Sequence, residues 1–460
     1  MELEGYRDKS LELLRKSGVK IGDQIKVETD DQITYGILIP RYEYSTQEHI
    51  VVKLSSGYNI GIKLSKIKKL EKLITPNPHE KIEQNVLDMK SDTINFSKSE
   101  SSRIANYEVK SLPTVSLLST GGTISSRIDY RTGAVSPALT AQDLYDSVPI
   151  IRNIANVEPD ILLSEYSENI GPSNWTLITE RVRDQILSRK YCGIIISHGT
   201  DTMHYTSAAL SFSLQNSPIP IIIVGSQRSS DRPSSDAFLN LQGATTLAAN
   251  SDFAGIYIAM HSSCSDKQVA CHLGTRVRKN HSSRRDAFHS IDISPIALVD
   301  EGRITRCPQH LELEIPSRDP NRTLSAKPKF DDRVMLFKFY PGFDPNFILQ
   351  SVELGKKILI FEGTGLGHIS RQCFNQISKA IDLGVLVFMT SQCIWGQTAM
   401  TVYNTGRDLL QLGVVSLSNM ISETATMKAM WALANYRIQE VKKVMTTNIA
   451  NEITPSRFID

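Results

Sequence analysis

A chain of 460 residues is too long for one hydrophobic core, which rarely grows beyond about 250–300 residues, so two or three domains are expected. Hydrophobic residues at 40% and charged residues at 22% are ordinary for a globular protein, and a net charge of +2 excludes a global basic field for nucleic acid, though not a local patch. No apolar run approaches the roughly 18 residues of a membrane span, the first six residues lack a signal pattern, and six cysteines without a CxxC pair read as reduced thiols of a cytoplasmic protein.

Residues 1–74 form a first unit. A helical stretch over 2–16 is stopped by Gly18, and short alternating runs follow over 24–27, 34–39, 49–54 and 59–64, punctuated by Gly22, Gly36, Gly57 and Gly61. The pattern predicts a small β-barrel domain. Its end carries Lys63, Lys66, Lys68, Lys69 and Lys72, read first as a solvated strand edge protected by charge and second as an RNA contact. Residues 75–111, rich in Ser, Asn, Lys and Glu, read as a polar linker with one short helix.

Residues 112–325 alternate strands and helices. Strands are expected at 114–118, 161–163, 193–197, 220–225, 255–260 and 296–299, with helices at 175–188, 206–214 and 235–249. That alternation predicts an α/β domain with a mostly parallel sheet covered on both faces. Residues 326–460 form a smaller α/β domain, with strands at 334–339, 358–361 and 386–389, helices at 346–354 and 370–383, and one amphipathic helix over 424–445.

Two strand ends carry the chemistry. Val115-Ser116-Leu117-Leu118 runs into Ser119-Thr120-Gly121-Gly122-Thr123, and Ile194-Ile195-Ile196 runs into Ser197-His198-Gly199-Thr200-Asp201-Thr202. Open α/β sheets build their sites at the carboxyl ends of strands. A threonine hydroxyl is a weak nucleophile and needs a neighbouring base or a polarising environment. Tyr130 lies in a loop that can fold back over Thr123. Lys279 stands among Arg276, Arg278, Arg284 and Arg285, and charge crowding is expected to depress its pKa and make it a base. Taken alone, that basic run also fits a solvated face or a phosphate contact.

Two other candidates are weaker. His261, Cys264, Cys271 and His272 suit zinc by residue type, but their spacing fits no common zinc pattern, and thiols and imidazoles around a strand end are the preferred reading. Gly363-Thr364-Gly365-Leu366-Gly367 departs from a dinucleotide loop, and there is no phosphate-binding P-loop, so no nucleotide site is expected on this chain.

The motifs at 120–124 (TGGTI), 198–203 (HGTDTM), 225–228 (GSQR), 232–237 (RPSSDA), 278–288 (RKNHSSRRDAF) and 362–368 (EGTGLGH) together resemble the L-asparaginase/glutaminase family of the bacterial type over residues 112–440. The N-terminal unit, the linker, and the segments 167–172, 391–414 and 423–433 narrow the match. They are similar to the family of D subunits of archaeal glutamyl-tRNA(Gln) amidotransferases.

The resemblance implies an asparaginase-like two-domain α/β body and a glutaminase that works through a threonine acyl-enzyme. Thr123 matches the nucleophile and Tyr130 the tyrosine near it. Thr200, Asp201 and Lys279 match the second catalytic threonine, its aspartate and the lysine. Ser167 and Glu168 match the pair that binds the substrate's α-carboxylate and α-amino group. Which threonine forms the covalent bond stays open at this stage. The resemblance also implies a homodimer with an E subunit on each copy, two copies of each. The E subunit uses ATP and Mg2+ to amidate Glu-tRNA(Gln), and neither metal nor cofactor is expected on this chain. A free-standing L-asparaginase/glutaminase is the alternative. A catalytically silent binding module is disfavoured by the complete set Thr123, Thr200, Asp201 and Lys279.

Overall fold

The computed structural model describes residues 5–30, 32–40, 48–54, 59–73, 112–122, 126–128, 135–137, 148–229, 235–309 and 313–454. The chain divides into two compact units, one holding residues 1–111 with two short later pieces, the other holding nearly all of the rest. The expected linker over 75–111 lies outside the described residues.

In the first unit, helix α1 (Asp8–Lys16) precedes strands β1 (Gln24–Thr29), β2 (Ile33–Leu38), β3 (His49–Lys53), β4 (Asn59–Lys63) and β5 (Ile67–Lys72). They form an antiparallel sheet in the order β4-β3-β2-β1-β5. Alternate residues face one core: Ile25, Val27, Leu38, Ile50, Val52, Ile62 and Leu70 meet Tyr6, Leu14 and Val19. Of the lysine-rich end, Lys63 closes β4, Lys66 lies in the turn that follows, and Lys68, Lys69 and Lys72 lie on the edge strand β5. Lys68 pairs with Asp30 at 2.7 Å, Lys69 with Glu71 at 2.6 Å and Lys72 with Asp23 at 2.8 Å. Paired lysines on an edge fit the protective reading.

The second unit begins with β6 (Thr114–Gly121). Next in the chain is a two-stranded ribbon, β7 (Ser126–Ile128) with β8 (Val135–Pro137), most of which groups with the first unit. Strand β9 (Asn156–Glu165), helix α2 (Pro172–Leu187), β10 (Gly193–Ser197), helix α3 (Met203–Ser213), β11 (Leu214–Gln215), β12 (Pro220–Val224), helix α4 (Ala237–Asn250) and β13 (Gly255–His261) continue the alternation. Strands β14 (Gln268–Leu273), β15 (Val277–Lys279), β16 (Phe288–Ser290), β17 (Ala297–Asp300), β18 (Arg303–Arg306) and β19 (Ser325–Ala326) follow with no described helix between them.

The main sheet runs β18-β17-β14-β13-β12-β10-β6-β9. Strands β9, β6, β10, β12 and β13 are parallel, as expected. Strands β14, β17 and β18 extend the sheet antiparallel; the short links β13–β14 and β17–β18 leave no room for the long crossover that parallel pairing needs, and the longer β14–β17 link carries the β15–β16 hairpin. Along the central strands, neighbours face opposite cores. Ile195, Ile222 and Val224 pack on α4 residues Leu241 and Ala244, while Ile194, Ile196, Ile221 and Ile223 pack on Ile178 and Val182 of α2 and Leu210 of α3. Burial on both sides is why these strands read as unbroken apolar runs.

The C-terminal part has a parallel sheet of β20 (Val334–Lys338), β21 (Ile358–Gly363), β22 (Leu386–Ser391) and β23 (Val415–Ser416), with helices α5 (Asn346–Glu353), α6 (Phe374–Asp382) and α7 (Asn404–Leu412). The expected single last helix is two, α8 (Ser422–Asn435) and α9 (Ile438–Thr446). Tyr436 and Arg437 are extended. The Tyr436 ring packs edge-on against Trp431, its hydroxyl accepts from Lys327 at 2.9 Å, and Glu440 caps the next helix through Arg437 N. Helix α3 joins the two sheets' cores. Its Ala208, Ala209 and Phe212 meet Trp431, Ile360 and Phe388, and its all-round burial leaves only small or hydrogen-bonded polar residues, such as Thr206 and Ser207, among the apolar ones.

Candidate active site

Strands β6 and β10 lie side by side in parallel register, with Ser119 opposite Ser197. Their carboxyl ends are tied: Thr120 Oγ1 donates to the Ser197 carbonyl at 2.8 Å, and Ser197 Oγ donates to Ser119 Oγ at 3.2 Å. Gly121 and Gly122 have φ of +105° and +86°, a region that side chains avoid. A Cβ on Gly122 would collide with the amide nitrogen of Gly199. The glycines thus let one strand end press against the other, and Gly122 immediately precedes Thr123 in the chain. Thr123 and Tyr130 themselves lie outside the described residues.

Thr200 and Asp201 follow directly from β10, and Lys279 comes from β15. Lys279 Nζ donates to Thr200 Oγ1 at 2.8 Å and to Asp201 Oδ1 at 2.6 Å. Sequence placed the three as one set, and the structure brings them together. The expected crowd of arginines is dispersed. Arg278 pairs with Glu423 at 2.8 Å, Arg284 with Asp286 at 2.7 Å and Arg285 with Asp266 at 2.5 Å, while Arg276 is buried with Asp292 at 3.8 Å. Each arginine has its own carboxylate, so the local charge around Lys279 is set first by Asp201.

Ser167 and Glu168 sit on a 3-10 turn, Ser167–Asn169, just after β9. Ser167 is buried, and a Cβ on Gly199 would lie 3.0 Å from its hydroxyl oxygen. Thr202 Oγ1 donates to the Ser167 carbonyl at 2.5 Å, tying this turn to the Thr200–Asp201 loop. Glu168 is exposed.

Beneath these groups is a fixed polar chain. Trp175 Nε1 donates to Thr206 Oγ1 at 3.0 Å, and Thr206 Oγ1 meets His198 Nε2 at 2.9 Å. His198 Nδ1 meets the Gly199 carbonyl at 2.7 Å. A carbonyl can only accept, so Nδ1 carries the proton and Nε2 accepts from the threonine. Burial lowers the His198 pKa to about 4, and His204 falls to about 3 through burial and then the nearby Arg278 and Lys279 charges. The loop after β12 is held by Asp236, which accepts the Gln227 and Arg228 amides at 2.9–3.1 Å.

The zinc candidates are engaged separately. His261 meets Asn240 and Asp266, Cys264 meets Asp286, and His272 meets Ser290, while Cys271 is buried in the core. Neighbours on β14, Cys271 and His272 point to opposite faces of the sheet. All six cysteines are free thiols.

Family models match three segments: Asparaginase, N-terminal, over 114–310; Glutaminase/Asparaginase C-terminal domain over 333–445; and GatD N-terminal domain over 19–73. The D subunit of the glutamyl-tRNA(Gln) amidotransferase of Methanopyrus kandleri is 41% identical, across 99% of this chain and 96% of that protein. The D subunit from Pyrococcus furiosus is 43% identical, across 96% and 97%. The chain belongs to the D-subunit family of glutamyl-tRNA(Gln) amidotransferases. Membership in that family accounts for the first unit, since β1 to β5 fall within the GatD N-terminal match.

The body resembles solved L-asparaginases. That of Thermococcus kodakarensis superposes with a TM-score of 0.67 at 34% identity, and L-asparaginase I of Vibrio cholerae with 0.64 at 25%. Both are covered in full by 75% of this chain.

Three relationships escaped sequence reasoning: the Thr202–Ser167 tie, the His198 chain and the Arg278–Glu423 pair. Thr202 and His198 sit inside the quoted HGTDTM motif. Their residue types were visible there, but Ser167 lies 35 residues from Thr202 and Trp175 lies 31 from the Thr206 that links it to His198, and no local signal names either partner.

Proposed function

We propose that this chain is the glutamine-hydrolysing component of a tRNA-dependent amidotransferase, releasing ammonia for a partner, the E subunit, that converts Glu-tRNA(Gln) to Gln-tRNA(Gln). The observation that carries the reading is Lys279 Nζ bonded at once to Thr200 and Asp201, beside a double-glycine turn that leads into Thr123. Thr123 Oγ attacks the side-chain amide carbon of glutamine. Its proton passes to the amide nitrogen, the C–N bond breaks, and ammonia leaves a threonyl ester. Water then adds to the ester carbon, the Thr123 hydroxyl is regenerated and glutamate departs. Thr200, Asp201 and Lys279 activate the attacking hydroxyl or the deacylating water, a role that requires Lys279 to give up one of its protons. Backbone N–H groups of the glycine turn stabilise the oxyanion, and Tyr130 closes over Thr123. Ser167 and Glu168 bind the α-carboxylate and α-amino groups.

In this reading ATP and Mg2+ are used on the E subunit, and this chain contributes no cofactor. The working assembly is a homodimer with one E subunit on each copy, acting in the cytoplasm. No helix among the described residues is long and apolar enough to cross a membrane, in keeping with that setting. A free-standing L-asparaginase/glutaminase is weighed down by the near full-length likeness to D-subunit proteins. The test is ammonia release from glutamine and from asparagine, with and without partner, ATP and Glu-tRNA(Gln). Acceleration of glutamine hydrolysis by the complete mixture is expected, with Thr123→Ala abolishing it and free ammonia restoring tRNA amidation. Equal rates in every mixture would favour the free-standing enzyme.

A further inference from the structure

Lys279 is delivered by a weak element. Among the described residues, strands β15 and β16 pair only with each other, three residues a side, outside the main sheet. A lone two-stranded hairpin is marginal in water and cannot by itself hold an ammonium in one place. Val277, Ala287 and Phe288 root it in the core of its own domain, and the C-terminal part of the same unit ties down its polar face. Thr424 Oγ1 donates to the Thr275 carbonyl at 2.9 Å, and Thr275 Oγ1 donates to the Ala450 carbonyl at 2.7 Å. The buried Arg276 donates to the Asn419 carbonyl at 2.6 Å and to Thr454 Oγ1 at 3.0 Å. Arg278 Nε then reaches Glu423 at the start of α8, at 2.8 Å.

The alternation of a strand makes this last contact specific. Successive residues point to opposite sides, so Val277 enters the core, Arg278 turns to α8 and Lys279 turns back to Thr200. Glu423 is 7% exposed, and its other oxygen lies 3.3 Å from Ser422 Oγ, whose single proton it shares with the nearer Glu362 at the end of β21. The carboxylate is therefore fixed by its own domain, and it fixes the arginine.

We infer that Glu423 and Arg278 are positioning residues: their ion pair across the two α/β domains sets the reach of Lys279 to Thr200 and Asp201, so that the C-terminal domain takes part in amide hydrolysis without touching substrate. The inference rests on the amidohydrolase reading above. Misplacing a catalytic group by about 1 Å can cost up to about a hundredfold in rate.

The test uses the full chain with Glu423→Gln, which keeps size and loses charge, Arg278→Met, and the double variant. Each single variant is expected to lower kcat for glutamine about tenfold, with KM within about twofold and the unfolding temperature unchanged. The double variant should be no worse than either single one, because both remove one pairing. Hydrogen exchange across residues 276–291 should quicken in all three, since the hairpin amides such as Asn280 N to the Ala287 carbonyl lose their anchor. Unchanged kcat in Glu423→Gln, additive losses, or unchanged exchange would overturn the positioning role. A wild-type chain inactive on both amides even with partner, ATP and Glu-tRNA(Gln) present would refute the amidohydrolase reading instead, and exchange alone would then decide whether the pair holds the hairpin.

Discussion

Lys279 and Asp201 form an ion pair of unequal halves: at 2.6 Å apart, the lysine side chain is 8% exposed and the aspartate 71%. The buried partner is the one that also reaches Thr200. Lys279→Met is therefore expected to lower kcat for glutamine by about 10²–10⁴-fold with little change in stability. Asp201→Asn should cost less, since water already reaches that carboxylate. Steady-state kinetics decide between roles. A rise in KM alone for Lys279→Met would make the lysine a binding charge and remove it from proton transfer.

Thr202 joins the Ser167 turn to the Thr200–Asp201 loop through one hydroxyl, donating where Ile170 N also donates at 3.1 Å. Thr202→Val keeps the shape and deletes the donor. A hydrogen bond is worth about 1 kcal/mol net, so KM for glutamine should rise about fivefold with a smaller effect on kcat, and Thr202→Ser should restore it. A fall in kcat at constant KM would show that the bond serves the chemistry and not the substrate turn.

Lys428 and Glu452 form an ion pair in which both side chains are fully buried. Lys428 also donates to the Thr447 carbonyl at 2.6 Å, and Glu452 accepts the Ile449 and Ala450 amides at 2.6–3.1 Å. Breaking a buried pair leaves an uncompensated charge and costs about 3–5 kcal/mol. Lys428→Met should lower the urea midpoint accordingly. A midpoint within experimental error of the parent would mean that the closing segment 447–454 adds nothing to global stability.

Three histidines are held neutral by burial: His198 with a pKa of about 4, and His204 and His272 of about 3, against an ordinary 6.5. Between the folded and unfolded values the unfolded chain binds more protons. Their contribution is thus complete above about pH 6.5 and is lost as pH falls towards 4. Unfolding free energy should be flat from pH 7 to 8 and decline by about 1–2 kcal/mol per histidine between pH 6.5 and 5, before carboxylates titrate. His272→Asn, which keeps an acceptor or donor for Ser290 Oγ, should flatten that decline. A stability curve level from pH 7 to 5 would contradict it.

The two strand ends were legible because everything that makes them is local. Ile194, Ile195 and Ile196 are apolar without alternation because a sheet covered on both faces buries every residue. The glycines at 121 and 122 announce a backbone that no side chain tolerates, and Thr200 and Asp201 follow closely on the last apolar residue, Ile196. Ser167, Thr200, Asp201 and Lys279 were named from the family resemblance, and the structure adds the bonds of Lys279 to Thr200 and Asp201 and, through Thr202, the tie to Ser167.

What the chain alone left undecided was direction and partner. Arg276, Arg278, Arg284 and Arg285 read as one basic run around Lys279, yet each turns to a different carboxylate because a short strand and a loop point neighbouring side chains to different sides. The amphipathic run over 424–445 gave no local reason to break at Tyr436; the break follows from Trp431 and Lys327, which hold that ring and hydroxyl. The antiparallel extension β14-β17-β18 was hidden because strand direction depends on how the connection returns, not on the residues within the strand. Local pattern, then, determined the strands, the turn and the reactive residue types. Tertiary packing alone decided that a lysine 79 residues away along the chain meets Thr200, because its short hairpin takes its position from the core beneath it and from the C-terminal domain beside it.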